Sequence, residues 1–111
     1  MAVEVGDGRE SPAAFGLTMR VIWAPSALRE IARATDYLMD FNPRAAMELA
    51  NGLFAAGDGL VHFPRRGRPV AGTTMRELVT AYPYIIRYRI TGDDAVRILR
   101  VRHTSRRPTN A

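Results

Sequence analysis

The chain of 111 residues contains no cysteine and no lysine. Without cysteine there are no disulfides, no thiolate metal sites and no cysteine nucleophile, a composition that suits the cytoplasm. No apolar run approaches the length of a membrane-spanning helix. Residues 1–18 carry acids near their start and no apolar segment, so they lack the pattern of a secretory signal. Also missing are a phosphate-binding glycine loop, a nucleophile elbow, a dinucleotide fingerprint and any metal-ligand spacing. These absences argue against a membrane protein and against a small-molecule enzyme of familiar signature, and they imply no cofactor and no metal.

What is present is arginine. All sixteen Lys or Arg positions are Arg, against eleven acids, for a net charge of +5. Residues 1–61 hold five Arg and eight acids (−3), whereas residues 62–111 hold eleven Arg and three acids (+8). A GC-rich genome favours Arg codons over Lys codons, but it does not explain why the Arg gather in the second half. A guanidinium is always charged, and its planar fork matches carboxylate or phosphate. The asymmetry therefore suggests a basic surface for nucleic acid or for an acidic protein. Otherwise the 47% hydrophobic and 24% charged fractions are those of one ordinary globular domain.

Residues 1–18 read as a flexible extension, with Gly6, Gly8, Pro12 and Gly16 and no periodicity. Met19 suggests itself as an alternative start, so the expected domain is 19–111. A strand-like run, Val21-Ile22-Trp23, follows. A first helix is expected over about 25–40, with Pro25 at its first position and Ala24 as a poor cap. Leu28, Ile31, Thr35, Leu38 and Met39 form its apolar stripe. Asn42 and Pro43 begin a second helix, in which Ala46, Leu49, Ala50, Leu53 and Phe54 repeat at helical spacing. Gly57 and Gly59 are expected to weaken its end. Residues 62–72 read as a loop, and strands are expected over 74–79, 84–90 and 95–102, the last two joined by a turn at Gly92-Asp93-Asp94. The fold class is α+β, in the order β-α-α-β-β-β. A helical hairpin packs on a small, mainly antiparallel four-stranded sheet.

Candidate chemistry concentrates after residue 62. Arg65, Arg66, Arg68, Arg76, Arg87, Arg89, Arg100, Arg102, Arg106 and Arg107 are interleaved with Tyr82, Tyr84 and Tyr88. Guanidinium groups hold phosphates and tyrosine rings stack on bases. The competing reading is a solvated Arg face with Tyr84 and Tyr88 in the core, as their alternation suggests. His103 is either a proton-transfer group with a pKa near neutrality or a structural residue at a strand end. His62 is expected to cap or pack. Arg76 and Glu77 could serve as a transition-state cation and a base. As strand neighbours, however, they point to opposite faces and do not easily share a substrate.

Taken in order, five segments resemble one family. Ala24-Pro25-Ser26-Ala27-Leu28-Arg29-Glu30-Ile31 is similar to the Ser-Pro-x-Ala-x-x-Asp-Leu opening of RelE/ParE toxins. Asn42-Pro43-Arg44-Ala45-Ala46 resembles the start of their second helix, and Phe63-Pro64-Arg65-Arg66-Gly67-Arg68-Pro69 their Pro-x-x-Gly-Arg loop. Arg76-Glu77-Leu78 with the 84–90 run, and the 96–103 run, resemble their paired and closing strands. The resemblance covers about residues 20–107 and leaves 1–18 without a counterpart.

The resemblance implies a toxin of a type II toxin-antitoxin system. It would act in the cytoplasm and form a hetero-oligomer with a cognate antitoxin. ParE-like members inhibit DNA gyrase, and RelE-like members cut mRNA on the ribosome. RelE-like ribonucleases usually carry an Arg in a Tyr-Arg-Leu/Ile-Val-Tyr strand motif, where this chain has Ile85, and they use lysines that this chain lacks. ParE-like toxins tolerate an apolar residue there, and Arg102-His103 roughly matches their strand ending. The ParE-like reading is therefore preferred. Arg65, Arg68, Arg76, Arg87, Arg89, Arg102 and Tyr88 are then the candidate binding residues. Arg76, Arg87 and His103 are the catalytic set if the chain is instead a ribonuclease, with Arg76 standing in for a lysine.

Overall fold

The computed structural model describes residues 3–4, 8–11, 19–80, 83–92 and 94–104. The element order is β1 (Val3–Glu4), β2 (Gly8–Ser11), β3 (Arg20–Trp23), α1 (Pro25–Met39), α2 (Pro43–Asp58), β4 (Arg68–Pro69), β5 (Met75–Val79), β6 (Tyr84–Thr91) and β7 (Ala95–His103). A 3-10 turn, Gly59–Val61, follows α2. The sheet order is β1-β2-β3-β7-β6-β5-β4. Every pairing is antiparallel except that of β3 with β7. The expected α+β class, the helical hairpin and the mainly antiparallel sheet are all observed.

The sheet is wider than the four strands expected. The 62–72 loop contributes β4, a two-residue pairing of Arg68 with Glu77 and Pro69 with Arg76. The segment expected to lack regular structure contributes β1 and β2, the latter pairing with β3 at Glu10–Ile22 and Ser11–Val21. Pairings this short leave no alternation to read in a sequence. Tyr82, Asp93, Arg106, Arg107 and most of 1–18 lie outside the described residues.

Both helix starts follow local chemistry. Asn42 caps α2, its Oδ1 accepting from the Ala45 N–H at 3.1 Å. Ala24 offers no side-chain cap to α1; instead its N–H donates to the Ile98 carbonyl at 2.9 Å, tying the helix start to the sheet. Gly57 does not weaken the end of α2. It is buried in the helix, where a Cβ would stand 2.4 Å from the Trp23 ring and 2.7 Å from Ile98. The helix can approach the sheet so closely only because no side chain intervenes.

The core lies between the hairpin and one sheet face. It is built on Val21, Trp23, Ala27, Ile31, Leu49, Leu53, Leu60, Leu78, Ile86, Tyr88, Val96, Ile98 and Val101. Trp23 is fully buried, and its indole N–H donates to Asp58 at 2.9 Å, as a buried indole requires. Met39, expected on the buried stripe, is exposed at the hairpin tip beside Tyr37 and Phe41, whose rings lie 5.1 Å apart. The alternation in β7 breaks after Ile98. Tyr88 pairs with Ile98 and Arg87 with Arg100, so Leu99 is an extra residue in a bulge. The bulge moves Val101, rather than Arg100, into the core.

Candidate functional site

Strand β6 sorts the candidate residues onto two faces. Tyr84, Ile86, Tyr88 and Ile90 look toward the helices, while Ile85, Arg87 and Arg89 look away, because successive strand side chains alternate. Tyr88, a candidate binding residue, is not available to a ligand: it has no exposed surface. Its hydroxyl donates to the Pro64 carbonyl at 2.7 Å and accepts from the Gly67 N–H at 2.8 Å. Both capacities of the phenol are thus spent on one loop.

Arg76 serves the same loop. Its Nη1 donates to the Gly67 carbonyl at 2.6 Å and to the Arg65 carbonyl at 3.2 Å. A Cβ on Gly67 would lie 2.7 Å from the Glu77 carbonyl and 2.8 Å from the Tyr88 ring and hydroxyl, so only glycine fits. The loop is therefore fixed at its backbone while Phe63, Arg65, Arg66 and Arg68 are turned out to solvent. Phe63 is 69% exposed.

On the face turned away from the helices, Glu77 gathers two guanidiniums. Arg87 Nη2 donates to its Oε2, and Arg68 Nη2 stands 3.9 Å from its Oε1. The Arg87 Nε is buried with no partner among the described residues. Arg89 is exposed on the same face, and Arg102 pairs with Ile85 in the ladder. The expectation that Arg76 and Glu77 diverge holds, and each has local partners. Arg87, which the competing reading placed on a solvated Arg face, is instead half-buried in an ion pair.

His103 belongs to a different place. It stacks edge-on against Tyr84, ring centres 5.0 Å apart, on the wall of a groove of about 600 Å³. The groove runs between the helical hairpin and the end of β7. Tyr37, Leu38, Leu49, Tyr84 and Val101 give it an apolar floor, with Arg33, Glu48 and Arg102 at its margins. Glu30 closes one side. Its Oε2 accepts from Arg100 Nε at 2.9 Å and Nη2 at 2.6 Å, while its Oε1 accepts from the Val101 N–H at 2.7 Å. These hydrogen bonds hold the Arg100 guanidinium more firmly protonated than usual, against a smaller opposing effect of burial.

Arg76, Arg87 and His103 therefore do not converge. Arg76 is at the loop, Arg87 on the outer face and His103 in the groove on the helix side. Among the described residues there is also no cluster of three metal-ligating side chains, and no helix is long and apolar enough to cross a membrane. Sequence reasoning missed the roles of Glu30, Glu77 and Gly67. A signal existed for Glu77, the only acid between Asp58 and Asp93. Glu30 had none, because its partners lie about seventy positions away.

Known proteins resemble this chain in sequence and in fold. A family model described as ParE toxin of type II toxin-antitoxin system, parDE, matches residues 21–108. The protein named Toxin RelE2 of Caulobacter vibrioides is 42% identical over 87 residues, covering 78% of this chain and 97% of its own. Toxin RelE1 of the same organism is 38% identical over 90 residues, covering 78% and 95%. Among solved structures, one titled as the chromosomal ParDE TA system from P. aeruginosa superposes with a TM-score of 0.71 at 20% identity. It covers 78% of this chain and 96% of that one, a likeness of fold.

Proposed function

The chain belongs to the ParE toxin family of type II toxin-antitoxin systems, and from that premise we propose that it inhibits DNA gyrase and is neutralised by a cognate antitoxin in the cytoplasm. One observation carries the choice of target: the three groups a ribonuclease would need, Arg76, Arg87 and His103, are dispersed over three surfaces. General acid–base catalysis needs its groups within hydrogen-bond reach of one substrate. Here Arg76 is occupied by the loop carbonyls, Arg87 by Glu77, and His103 is stacked on Tyr84. Ile85, at the position where ribonucleases of this superfamily keep an Arg, agrees with that reading. Purified chain mixed with gyrase and relaxed plasmid should block supercoiling, and gyrase that supercoils normally at a large toxin excess would refute it.

The antitoxin is proposed to lay an amphipathic or extended segment into the groove between the hairpin and β7 and on toward the basic sheet face. Apolar residues on the groove floor and guanidiniums at its margin suit a segment that is apolar on one side and acidic on the other. A second reading, a ribosome-dependent mRNA endoribonuclease, is favoured by the RelE names of the two Caulobacter relatives. Primer extension on transcripts after induction separates the two, since codon-positioned cuts belong to the second reading alone.

A further inference from the structure

The loop that Tyr88 and Arg76 hold has no part in the core, the groove or any catalytic constellation. It is nevertheless tied down at its backbone. Four hydrogen bonds from two side chains fix its backbone, and Gly67 is locked where no Cβ fits. Burying a tyrosine hydroxyl and part of a guanidinium to shape a surface loop serves the core in no evident way. It does serve presentation, because a preordered loop spares a complex the cost of ordering it.

What is presented has a definite chemistry. Phe63 is an exposed ring, Arg65 and Arg66 are exposed beside it, and no acid occurs between Asp58 and Glu77. Aromatic and Arg side chains together are the composition of protein-interface anchors. A nucleic acid is less well served. One ring gives a single stacking platform, and of the sheet guanidiniums Arg76 is turned onto the loop carbonyls and Arg87 onto Glu77 instead of lying open along a backbone track. The loop is also remote from the groove. It is anchored at the Tyr88 end of β6 and follows the C-terminus of α2, whereas the groove uses Tyr84 and the start of α2.

We propose that residues 63–66, held in shape by Tyr88 and Arg76 as positioning residues, are the element with which this chain grips an acidic protein surface on its target. The inference rests on the gyrase reading for the identity of that target, but not for the existence of the grip.

The test uses the full chain and four variants: Phe63→Ala, Arg65→Glu with Arg66→Glu, Tyr88→Phe, and Arg89→Glu as a charge control off the loop. Each is checked for thermal stability and antitoxin co-purification, then assayed for growth arrest, for inhibition of supercoiling, and for binding to DNA-free gyrase and to a short DNA duplex. The Phe63 and Arg65/Arg66 variants should lose at least about tenfold in gyrase binding and inhibition, the scale of removing an interface anchor. They should melt as the wild type does and keep the antitoxin. Tyr88→Phe should fall between them and the wild type, with faster hydrogen exchange at the Gly67 amide, and Arg89→Glu should lose less than the loop variants. Loop variants that bind and inhibit like the wild type would overturn the inference while leaving the gyrase reading intact. So would duplex binding by the wild type that the loop variants lose in step with inhibition, which assigns the loop to nucleic acid. A wild type that ignores gyrase yet arrests growth removes the gyrase reading only. The loop then stands if its variants no longer arrest growth, and falls if they still do. A wild type that arrests nothing overturns both.

Discussion

Tyr88 and Gly67 depend on each other. The phenol reaches the loop only because Gly67 has no Cβ, and the loop stays down only because the phenol satisfies Pro64 and Gly67. Tyr88→Phe keeps the ring in the core but leaves a buried N–H and a carbonyl without their partner. It should cost about 1–3 kcal/mol, read from a urea unfolding curve. Gly57→Ala places a methyl group inside the Trp23 ring's space and should cost about 1–3 kcal/mol in the same measurement, although alanine favours helices elsewhere. The burial of Tyr88 was legible in the alternation of β6. The use of its hydroxyl was not, because the partners lie more than twenty positions upstream. Arg76 misled for the same reason: an Arg beside a Glu in a strand looks like chemistry until the loop carbonyls that occupy it are in view.

At the scale of elements, α1 does for β7 what another strand would do. Strand β3 covers only residues 95–98 of β7. Beyond them, Ser26 donates to the Leu99 carbonyl at 2.7 Å and Glu30 accepts the Val101 N–H, so the helix closes a sheet edge. Glu30→Ala leaves that N–H and Arg100 without their carboxylate and should cost about 2 kcal/mol, measured by thermal or urea unfolding. Arg100→Ala should cost less, since its side chain is 41% exposed and exposed ion pairs contribute little. The helices and the three long strands were readable to within about two residues, because each carries its own period. Strands β1, β2 and β4 were not, since they are too short to carry one. The bulge at Leu99 was legible in principle, because unbroken alternation after Ile98 would have buried Arg100.

Across the whole molecule, the +8 charge of residues 62–111 is not one uniform surface. Arg76 braces a loop, Arg87 pairs with Glu77, and Arg100 holds Glu30, whereas Arg65, Arg66, Arg68 and Arg89 are exposed. Positive charge alone therefore overstated the resemblance to an RNA-cutting surface. The groove at one end and the braced loop at the other are the separate places we propose for an antitoxin and for a target. Tyr37→Ala, at an exposed groove residue, should weaken antitoxin binding about tenfold while changing stability by no more than about 0.5 kcal/mol, as titration calorimetry and melting would show. The central claim is tested most directly by a supercoiling assay with purified chain, gyrase and relaxed plasmid, with and without the antitoxin. The account predicts loss of supercoiling that the antitoxin restores, unchanged by His103→Ala. Undisturbed supercoiling, together with ribosome-dependent mRNA cuts that His103→Ala abolishes, would contradict it.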